Sequence, residues 1–477
     1  MTHFGFVFAL SHSLPEAILA VGVLALILVG AMRERAELIV TELAVGVLGL
    51  ALLSLFSGKA NAVIFGGAFI DDSFGRFAKG LCYIGSIVTL LIAHNFLVRE
   101  KINKFEFPVL VLLSTLGMSI LISADGLIAL YLGLELMSLA LYVIAAFHRD
   151  DAKASEAGLK YFVLGALSSG MLLYGASLLY GFAGTVSFAG IASAATGTPS
   201  LGVIFGLVFL MAGLAFKISA VPFHMWTPDV YQGAPTPVTA FFASAPKIAA
   251  FAITVRVIIS AFPGIALQSQ QIIIFISILS MALGSFAAIG QQNFKRLMAY
   301  SSIGHVGFAL VGLAAHNQAG VAGVLFYLGV YLVMVLGTFA AILSMRVGGR
   351  PVENVSDLAG LARSDGAMAF YLSMLMFSLA GVPPLAGFFA KFYVFNAAVQ
   401  AHLFGLAIIG FLTSVVAAYY YLRVVKVIYF DEPAAAFDKA PPVLRVVLAV
   451  AGLFVVFLFV YPSPFVAATA AAAKSLF

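Results

Sequence analysis

Long apolar runs separated by short polar loops make up most of the chain. A helix needs about 20 apolar residues to cross a membrane, and the chain contains about fourteen runs of suitable length. We number them predicted helices 1 to 14, at residues 14–32, 36–57, 77–97, 107–122, 124–147, 158–182, 201–224, 236–261, 268–290, 297–314, 319–345, 367–400, 403–428 and 442–462. The pattern predicts an all-α polytopic membrane protein.

The composition excludes the soluble classes of protein. Of the 477 residues, 63% are hydrophobic and 9% are charged, and the mean hydropathy is +1.11. Soluble domains carry about 25% charged residues. Cys82 is the only cysteine, which excludes an internal disulfide and any cysteine-held metal site on this chain alone. No phosphate-loop, H-E-x-x-H or C-x-x-C-H motif is present, so we expect neither cofactor nor metal on this chain.

The basic residues lie mostly in alternate loops. The loops after predicted helices 1, 3, 5, 9, 11 and 13 contain Arg33, Arg35, Arg99, Lys101, Lys104, Arg149, Lys153, Lys295, Arg296, Arg346, Arg350, Arg363, Lys426 and Lys439. The opposite loops contain only Lys59, Arg76 and Lys79. Because loops rich in lysine and arginine stay on the cytoplasmic side, we expect both termini to be periplasmic. This sorting explains the net charge of +5 without a nucleic-acid partner.

Two predicted helices contain residues that should break them at membrane depth. In helix 7, Pro222 follows Lys217 closely, and in helix 12 Pro383 and Pro384 precede Lys391. Proline lacks a backbone donor and clashes with the preceding turn. A break beside a charge, twice in one chain, predicts two related transport sites. Ordinary proline kinks near helix ends are the alternative.

The spacing of the polar residues predicts an internal repeat. Glu135 precedes Lys217 by 82 residues, and His305 precedes Lys391 by 86 residues. Predicted helices 4–8 and 9–13 would then form two five-helix units, the second inverted relative to the first because five is odd. We therefore predict an N-terminal three-helix segment, a first repeat, a second repeat and a C-terminal helix at residues 1–104, 105–262, 263–430 and 431–477.

Four charged residues lie inside apolar stretches, namely Glu135, Lys217, Lys247 and Lys391. A charge at the middle of a membrane costs about 2.5–3.5 kcal/mol on insertion scales. Side-chain packing alone does not explain why the chain carries four such charges. We therefore predict that these residues move protons or other charge across the membrane.

Glu135 and Lys217 form the most specific hypothesis. A nearby carboxylate favours the ammonium form of lysine, whereas burial favours the neutral amine. A lysine between these two influences would take up a proton when the glutamate approaches and release it when the glutamate withdraws. The alternative is a static buried ion pair, which would be weak support for stability.

For Lys247 we predict a central relay role, and for Lys391 an outlet of the relay. The alternative for both is a lysine that snorkels to the membrane surface, which their positions deep in apolar runs disfavour. His305, His224 and Lys160 are weaker candidates. Histidine titrates near neutrality, but a lone histidine in a membrane often only packs, and Lys160 at the start of its helix can lie at the interface.

Four segments resemble the antiporter-like subunits of respiratory complex I. They are LYLGLELMSLALYVIAAF, KISAVPFHMWTPDVYQGAPTPVTAFFASAPKIAAF, NFKRLMAYSSIGHVGF and SLAGVPPLAGFFAKFYVF. The resemblance extends over predicted helices 4–13. Within the family, the lysine at position 391 and the end after about fourteen helices resemble one bacterial subunit type.

The resemblance implies a proton-translocating membrane subunit of NADH–quinone oxidoreductase that quinone reduction in neighbouring subunits drives. It matches Glu135 and Lys217 to an ion pair, Lys247 to a central lysine and Lys391 to an outlet, with His305 between the last two. It also implies FMN, iron–sulfur clusters and quinone on partner subunits, other membrane subunits of complex I as partners, and location in a bacterial inner membrane.

Two other interpretations stay open. One is a subunit of an Mrp-type cation/proton antiporter, which shares the fold and the lysines and would exchange sodium for protons without NADH. The other is a structural membrane scaffold whose charges have no transport role. Neutralising Lys217 or Glu135 separates the last interpretation from the others, because a scaffold would not respond.

Overall fold

The computed structural model describes residues 3–58, 61–195 and 200–477. Within them the chain forms helices α1 (His3–His12), α2 (Leu14–Met32), α3 (Glu37–Ser54), α4 (Ser73–Arg99), α5 (Glu106–Ile122), α6 (Leu127–Ala145), α7 (Ala152–Ala183), α8 (Phe188–Ala194), α9 (Leu201–Ile218), α10 (Thr227–Gly233), α11 (Thr236–Phe242), α12 (Ala245–Arg256), α13 (Ala266–Ile289), α14 (Phe294–Ala314), α15 (Gln318–Ser344), α16 (Leu361–Ser364), α17 (Gly366–Ala380), α18 (Ala386–Gln400), α19 (Phe404–Phe430), α20 (Pro442–Phe457) and α21 (Ser463–Lys474). Two short antiparallel hairpins pair β1 (Ala62–Ile64) with β2 (Phe69–Asp71) and β3 (Arg346–Val347) with β4 (Arg350–Pro351).

The chain is a multi-pass helical membrane protein, as the apolar pattern predicts. Eleven helical stretches of the described residues are long and apolar enough to cross a membrane, and α5, α17 and α20 are shorter apolar helices. The total of fourteen crossings stays a prediction. The charge argument assigned Lys59, Arg76 and Lys79 to an opposite loop. Lys59 lies outside the described residues, and that assignment was wrong for Arg76 and Lys79, which lie in α4.

Both predicted breaks are present. Helix α9 ends at Ile218 and is followed by Ser219 in the left-handed conformation, with φ of 65°. Helix α17 ends at Ala380 and is followed by Gly381, with φ of 87°. Lys217 thus precedes its break, whereas Lys391 follows its own, an asymmetry that is already visible in the sequence.

A third interruption, which the sequence analysis missed, divides predicted helix 8. Helix α11 ends at Phe242, and α12 begins two residues before Lys247 with Pro246 in its first turn. Proline suits that position because backbone N–H groups in the first turn have no acceptor within the helix, so the N–H group that proline lacks is not needed there. The Ser244 hydroxyl donates to the carbonyl of Ala240 at 2.7 Å. Lys247 therefore lies at the start of a helix rather than in the middle of one.

The helices that carry Lys247 and His305 form the centre of the molecule. In α14, and in the stretch from α11 through α12, 94% of the apolar window is buried, against 22% in α3. The central helices therefore pack against protein on nearly all sides, while α3 lies at the periphery.

A buried ion pair ties the N-terminal segment to this centre. Arg256, the last residue of α12, donates from Nη1 and Nη2 to the Asp72 carboxylate at 2.7 and 2.9 Å. Asp72 also caps α4 by accepting from the backbone nitrogen of Gly75 at 2.7 Å. The contact therefore anchors the end of α12 to the start of α4.

Candidate functional site

Lys217 lies in the last turn of α9, and its amine contacts hydroxyl groups of α6. Its Nζ donates to Ser138 Oγ at 2.7 Å and to Tyr142 Oη at 3.0 Å. The residue is 6% exposed, so the amine relies on these two hydroxyls in place of water. The break that begins at Ser219 leaves this end of α9 without a following helical turn.

Glu135 lies on the same helix as these hydroxyls but forms no direct ion pair with Lys217 among the described residues. It precedes Ser138 by one helical turn, so the two side chains share a face of α6. Ser138 and Tyr142, which accept from the Lys217 amine, place that amine beside the same face of α6. One carboxylate oxygen, Oε1, is buried without a hydrogen-bond partner in the described part of the chain. The structure therefore brings Glu135 and Lys217 to one site, with Ser138 and Tyr142 as the contacts of the amine.

Lys247 lies in the first turn of α12 and contacts α14. Its Nζ donates to Ser302 Oγ at 2.9 Å, and it lies 5.5 Å from the ring centroid of Tyr231. The residue is 2% exposed. The Ser302 hydroxyl donates its own proton to the carbonyl of Ala299 at 2.9 Å, so it accepts the bond from Lys247. An ammonium and a neutral amine both carry N–H groups that can donate, so this contact suits both protonation states of the lysine.

His305 lies one turn after Ser302 on α14, between two tyrosines. Its Nδ1 is 2.6 Å from Tyr327 Oη, and its Nε2 is 3.0 Å from Tyr421 Oη. His305 and Lys247 line the same cavity of about 10 Å³. The accessible lining of this cavity is apolar, whereas a buried water needs two to four polar partners. The cavity therefore marks Lys247 and His305 as neighbours and gives no sign of a water between them.

Lys391 lies on α18, and its amine reaches back into the break of predicted helix 12. Its Nζ donates to the carbonyl of Ala380 at 2.9 Å and to Ser414 Oγ at 2.8 Å. Ala380 is the last residue of α17, where helix carbonyls have no partner of their own. The break therefore supplies one acceptor for the lysine, and α19 supplies the other.

A glycine maintains the close approach of the two halves of this broken helix. A Cβ atom on Gly387 would lie 1.8 Å from the carbonyl oxygen of Ser378. We expect Gly387→Ala to push α17 and α18 apart, to destabilise the region by about 1–3 kcal/mol, and to lower the amount of assembled protein in membranes. Gly405→Ala on α19 is the matched control, because nothing lies within 4 Å of its added Cβ. Equal amounts of the two variants, with equal thermal inactivation midpoints, would contradict the expectation.

The structure does not bring Lys160 or His224 into contact with the buried lysines. Lys160 bonds Glu156 at 2.7 Å and Asp229 at 2.8 Å, and Arg296 bonds the other oxygen of Asp229 at 2.7 Å. Burial alone would raise the pKa of Asp229, but the bonds from Lys160 and Arg296 lower it below its ordinary value. These contacts pin α10 to α7 and α14. His224 lies half-buried in the break before α10.

Sequence reasoning missed the hydroxyl groups that contact the three lysines and His305. Ser138, Tyr142, Ser302 and Ser414 contact the lysines, and Tyr327 and Tyr421 contact His305. On α6 a signal was available, since Glu135, Ser138 and Tyr142 recur at helical spacing. For the partners on α14, α15 and α19 no local signal exists, because only the fold brings them to the lysines and to His305.

A polar cavity of about 600 Å³ opens on the face that carries the basic loops. Its lining includes Glu100, His148, Lys153, Lys295 and Glu353. Helix α11 starts at this cavity, and the chain continues from it to the start of α12 and Lys247. Polar groups therefore surround the outer end of the segment that leads to the central lysine.

Comparisons with known proteins agree with this arrangement. The chain matches the family described as NADH:quinone oxidoreductase/Mrp antiporter, TM, over residues 124–417. It is similar to NADH-quinone oxidoreductase subunit N of Beijerinckia indica, with 72% identity over 470 residues and 98% of each chain covered. It also resembles a chain of respiratory complex I from Thermus thermophilus, with 35% identity, a TM-score of 0.81, and coverage of 96% of this chain and 99% of that one.

A chain of the Mrp complex from a Dietzia species has a similar shape. Its TM-score is 0.86, with 98% of this chain and 97% of that chain covered, but its identity is only 22%. Identity at that level shows a shared fold and no more. The complex I chain and the Mrp chain both share the fold of this protein. Only sequence identity, which is 35% for the complex I chain and 22% for the Mrp chain, distinguishes between them.

Proposed function

We propose, because the chain belongs to the NADH-quinone oxidoreductase subunit N family, that it is a proton-translocating membrane subunit of a bacterial NADH-quinone oxidoreductase. Quinone reduction elsewhere in the complex drives the proton transfer. The chain itself contributes a relay of Glu135, Lys217, Lys247, His305 and Lys391.

One observation carries this proposal. Each of the three buried lysines donates to a serine hydroxyl on another helix, at 2.7, 2.9 and 2.8 Å for Lys217, Lys247 and Lys391. A carboxylate in that position would hold the ammonium form, whereas a hydroxyl can bond either form of the amine. These lysines are therefore surrounded by groups that suit proton exchange better than permanent charge.

The relay runs in one direction through these contacts. Lys217 takes up a proton from the cytoplasmic side while the Glu135 carboxylate favours its ammonium form. Withdrawal of that influence favours transfer to Lys247. From Lys247 the proton passes to His305, which lines the same small cavity and whose two tyrosine contacts hold the ring in place. Lys391 receives it next and releases it on the other side of the membrane.

The energy needed is within reach of such groups. Moving one charge against about 150 mV costs about 3.5 kcal/mol, at about 2.3 kcal/mol per 100 mV. One pKa unit corresponds to about 1.4 kcal/mol, so changes of about two to three units in the lysines cover that cost. The proposed relay thus needs no cofactor on this chain. FMN, the iron–sulfur clusters and quinone belong to partner subunits.

The same proposal includes the setting of the chain. It lies in the bacterial inner membrane, beside other membrane subunits of complex I, with the basic loops in the cytoplasm and both termini in the periplasm. Residues 105–262 and 263–430 form the two inverted repeats, between the segment 1–104 and the C-terminal helix 431–477. The charge of the alternate loops supports the orientation.

A purification experiment tests the function. The tagged chain, purified from gently solubilised membranes, is expected to bring NADH–quinone reductase activity and bound flavin with it, and to take part in NADH-driven proton uptake after reconstitution. A preparation that lacks flavin and NADH activity, yet exchanges sodium for protons in liposomes, would overturn the proposal in favour of an Mrp-type antiporter subunit.

A further inference from the structure

We infer that a buried glutamate–lysine pair in the N-terminal segment, Glu16 with Lys79, is a second proton-transfer site, fed by an oriented chain of hydroxyl groups. The inference rests on the proposed function and extends it to residues outside the two repeats. Lys79 Nζ lies 2.6 Å from Glu16 Oε1, and the two side chains are only 2% and 10% exposed. The pair joins α2 to α4.

The burial of this pair has no structural explanation of its own. Removing two charges from water costs more than their attraction commonly returns, and apolar residues of similar volume often serve stability as well. The second carboxylate oxygen, Glu16 Oε2, is buried and has no hydrogen-bond partner among the described residues. A carboxylate that is half satisfied inside a membrane protein is suited to bind a proton or a water at its free oxygen.

The hydroxyl groups beside the pair form a chain with a fixed direction. Ser119 on α5 donates to Glu16 Oε1 at 2.5 Å. Tyr83 on α4 lies 2.6 Å from the same serine oxygen. Because serine has one hydroxyl proton, and Glu16 already accepts it, Tyr83 must be the donor to Ser119. Both bonds therefore point towards the carboxylate.

A second pair of hydroxyl groups lies one turn deeper on the same two helices, with no hydrogen bond to Tyr83 or Ser119 in the described part of the chain. Ser86 on α4 lies 2.8 Å from Thr115 on α5. At this depth α4 packs against the start of α12, since Cys82 Sγ donates to the carbonyl of Ala245 at 3.4 Å. Ala245 precedes Lys247 by two residues. The polar stripe thus runs along the helix that contacts the base of the central lysine.

The other end of the stripe meets a charged cluster at the opposite face from the basic loops. Asp71, just before α4, bonds Arg76 at 2.8 and 2.7 Å and His12 at 2.8 Å. Arg76 precedes Lys79 by three residues on α4, so both side chains lie on one side of the helix. The Glu16–Lys79 pair therefore lies between this cluster and the hydroxyl stripe.

One proton moves through the site in two steps. Ser119 passes its hydroxyl proton to Glu16 Oε1 and accepts the proton of Tyr83, while Tyr83 regains one from a hydronium ion on the interior side, which becomes water. The protonated carboxyl group of Glu16 then rotates, so that the oxygen carrying the proton takes the position of Oε2 and releases it to a water molecule at the opposite face. The Lys79 ammonium keeps its own protons, and every group returns to its starting form after the hydroxyls rotate back.

Infrared difference spectroscopy of the reconstituted complex tests this site. During NADH oxidation we expect a protonated-carboxyl band that shifts in deuterated water and is lost in Glu16→Gln. Tyr83→Phe keeps the ion pair and the packing but removes the donor, so it should lose the band and lower proton translocation per NADH. Glu34→Gln, on an exposed loop after α2, is the matched control and should change neither quantity.

Two outcomes separate this inference from the proposed function. If Lys247→Ala stops proton translocation while Glu16→Gln and Tyr83→Phe translocate as the unmodified complex does, the N-terminal pair is structural and the inference fails alone. If none of the three variants changes translocation, the proposed function fails as well. If Glu16→Gln assembles poorly, proton translocation by Tyr83→Phe decides between the two roles, because the phenylalanine ring preserves the buried volume.

Discussion

Lys217→Ala is expected to abolish the proton translocation that accompanies NADH oxidation. The substitution removes the amine that contacts Ser138 and Tyr142, and with it the first group of the proposed relay inside the membrane. Removing a positioned acid–base group typically costs about a hundredfold or more in rate. Glu135→Ala should also lower proton translocation, because it removes the carboxylate that favours the ammonium form of the lysine. The measurement is the number of protons taken up per NADH in proteoliposomes.

Lys104→Ala is the control for this experiment. Lys104 lies exposed in the loop between α4 and α5. The Lys104→Ala variant therefore loses a lysine side chain, as Lys217→Ala does, but leaves the buried site unchanged. Proton uptake that stays normal in both Lys217→Ala and Glu135→Ala would remove these residues from the relay and would favour a structural role for the site.

The membrane-embedded charges were the part of the site that the sequence could predict. Lys217, Lys247 and Lys391 each interrupt an apolar run, and a charge in such a run is costly wherever the fold places it. The breaks near Lys217 and Lys391 were predictable for a similar reason, since proline acts on the turn that contains it. These are local effects, and they need no knowledge of which helices become neighbours.

The contacts of those charges were not predictable. Ser302 is 55 residues from Lys247 in the chain, and Ser138 is 79 residues from Lys217. A serine on an apolar helix commonly bonds its own backbone, so its side chain alone does not mark it as the partner of a lysine. The resemblance suggested a direct contact of Glu135 with Lys217, yet the nearer hydroxyls of α6 occupy the amine.

The break before α12 shows the same limit for the fold. Predicted helix 8 spans residues 236–261, with Pro235 and Pro237 at its start and Pro246 inside it. Proline is tolerated in the first turn of a helix, so Pro246 was compatible with a kink or with a new start. The packing of α12 against α4 and α5, which buries all of its residues, decides in favour of a new start. Sequence pattern fixes neither choice because that packing is not local.

Lys247→Arg is expected to stop proton translocation even though it preserves the positive charge. Arginine does not release its proton in the working range of pH, whereas the relay requires residue 247 to alternate between charged and neutral forms. The cavity that Lys247 shares with His305 has a volume of only about 10 Å³, so the larger guanidinium would also crowd the histidine. Both effects act in the same direction, and a loss of about a hundredfold or more is expected.

The comparison of Lys247→Arg with Lys247→Ala separates charge from proton exchange. If residue 247 only supplies a fixed positive charge, the arginine variant keeps its proton uptake per NADH and the alanine variant loses it. If the residue exchanges protons, both variants lose it. Lys439→Arg, on the exposed loop before α20, controls for the substitution itself. Normal proton uptake in Lys247→Arg would therefore exclude a proton relay through Lys247.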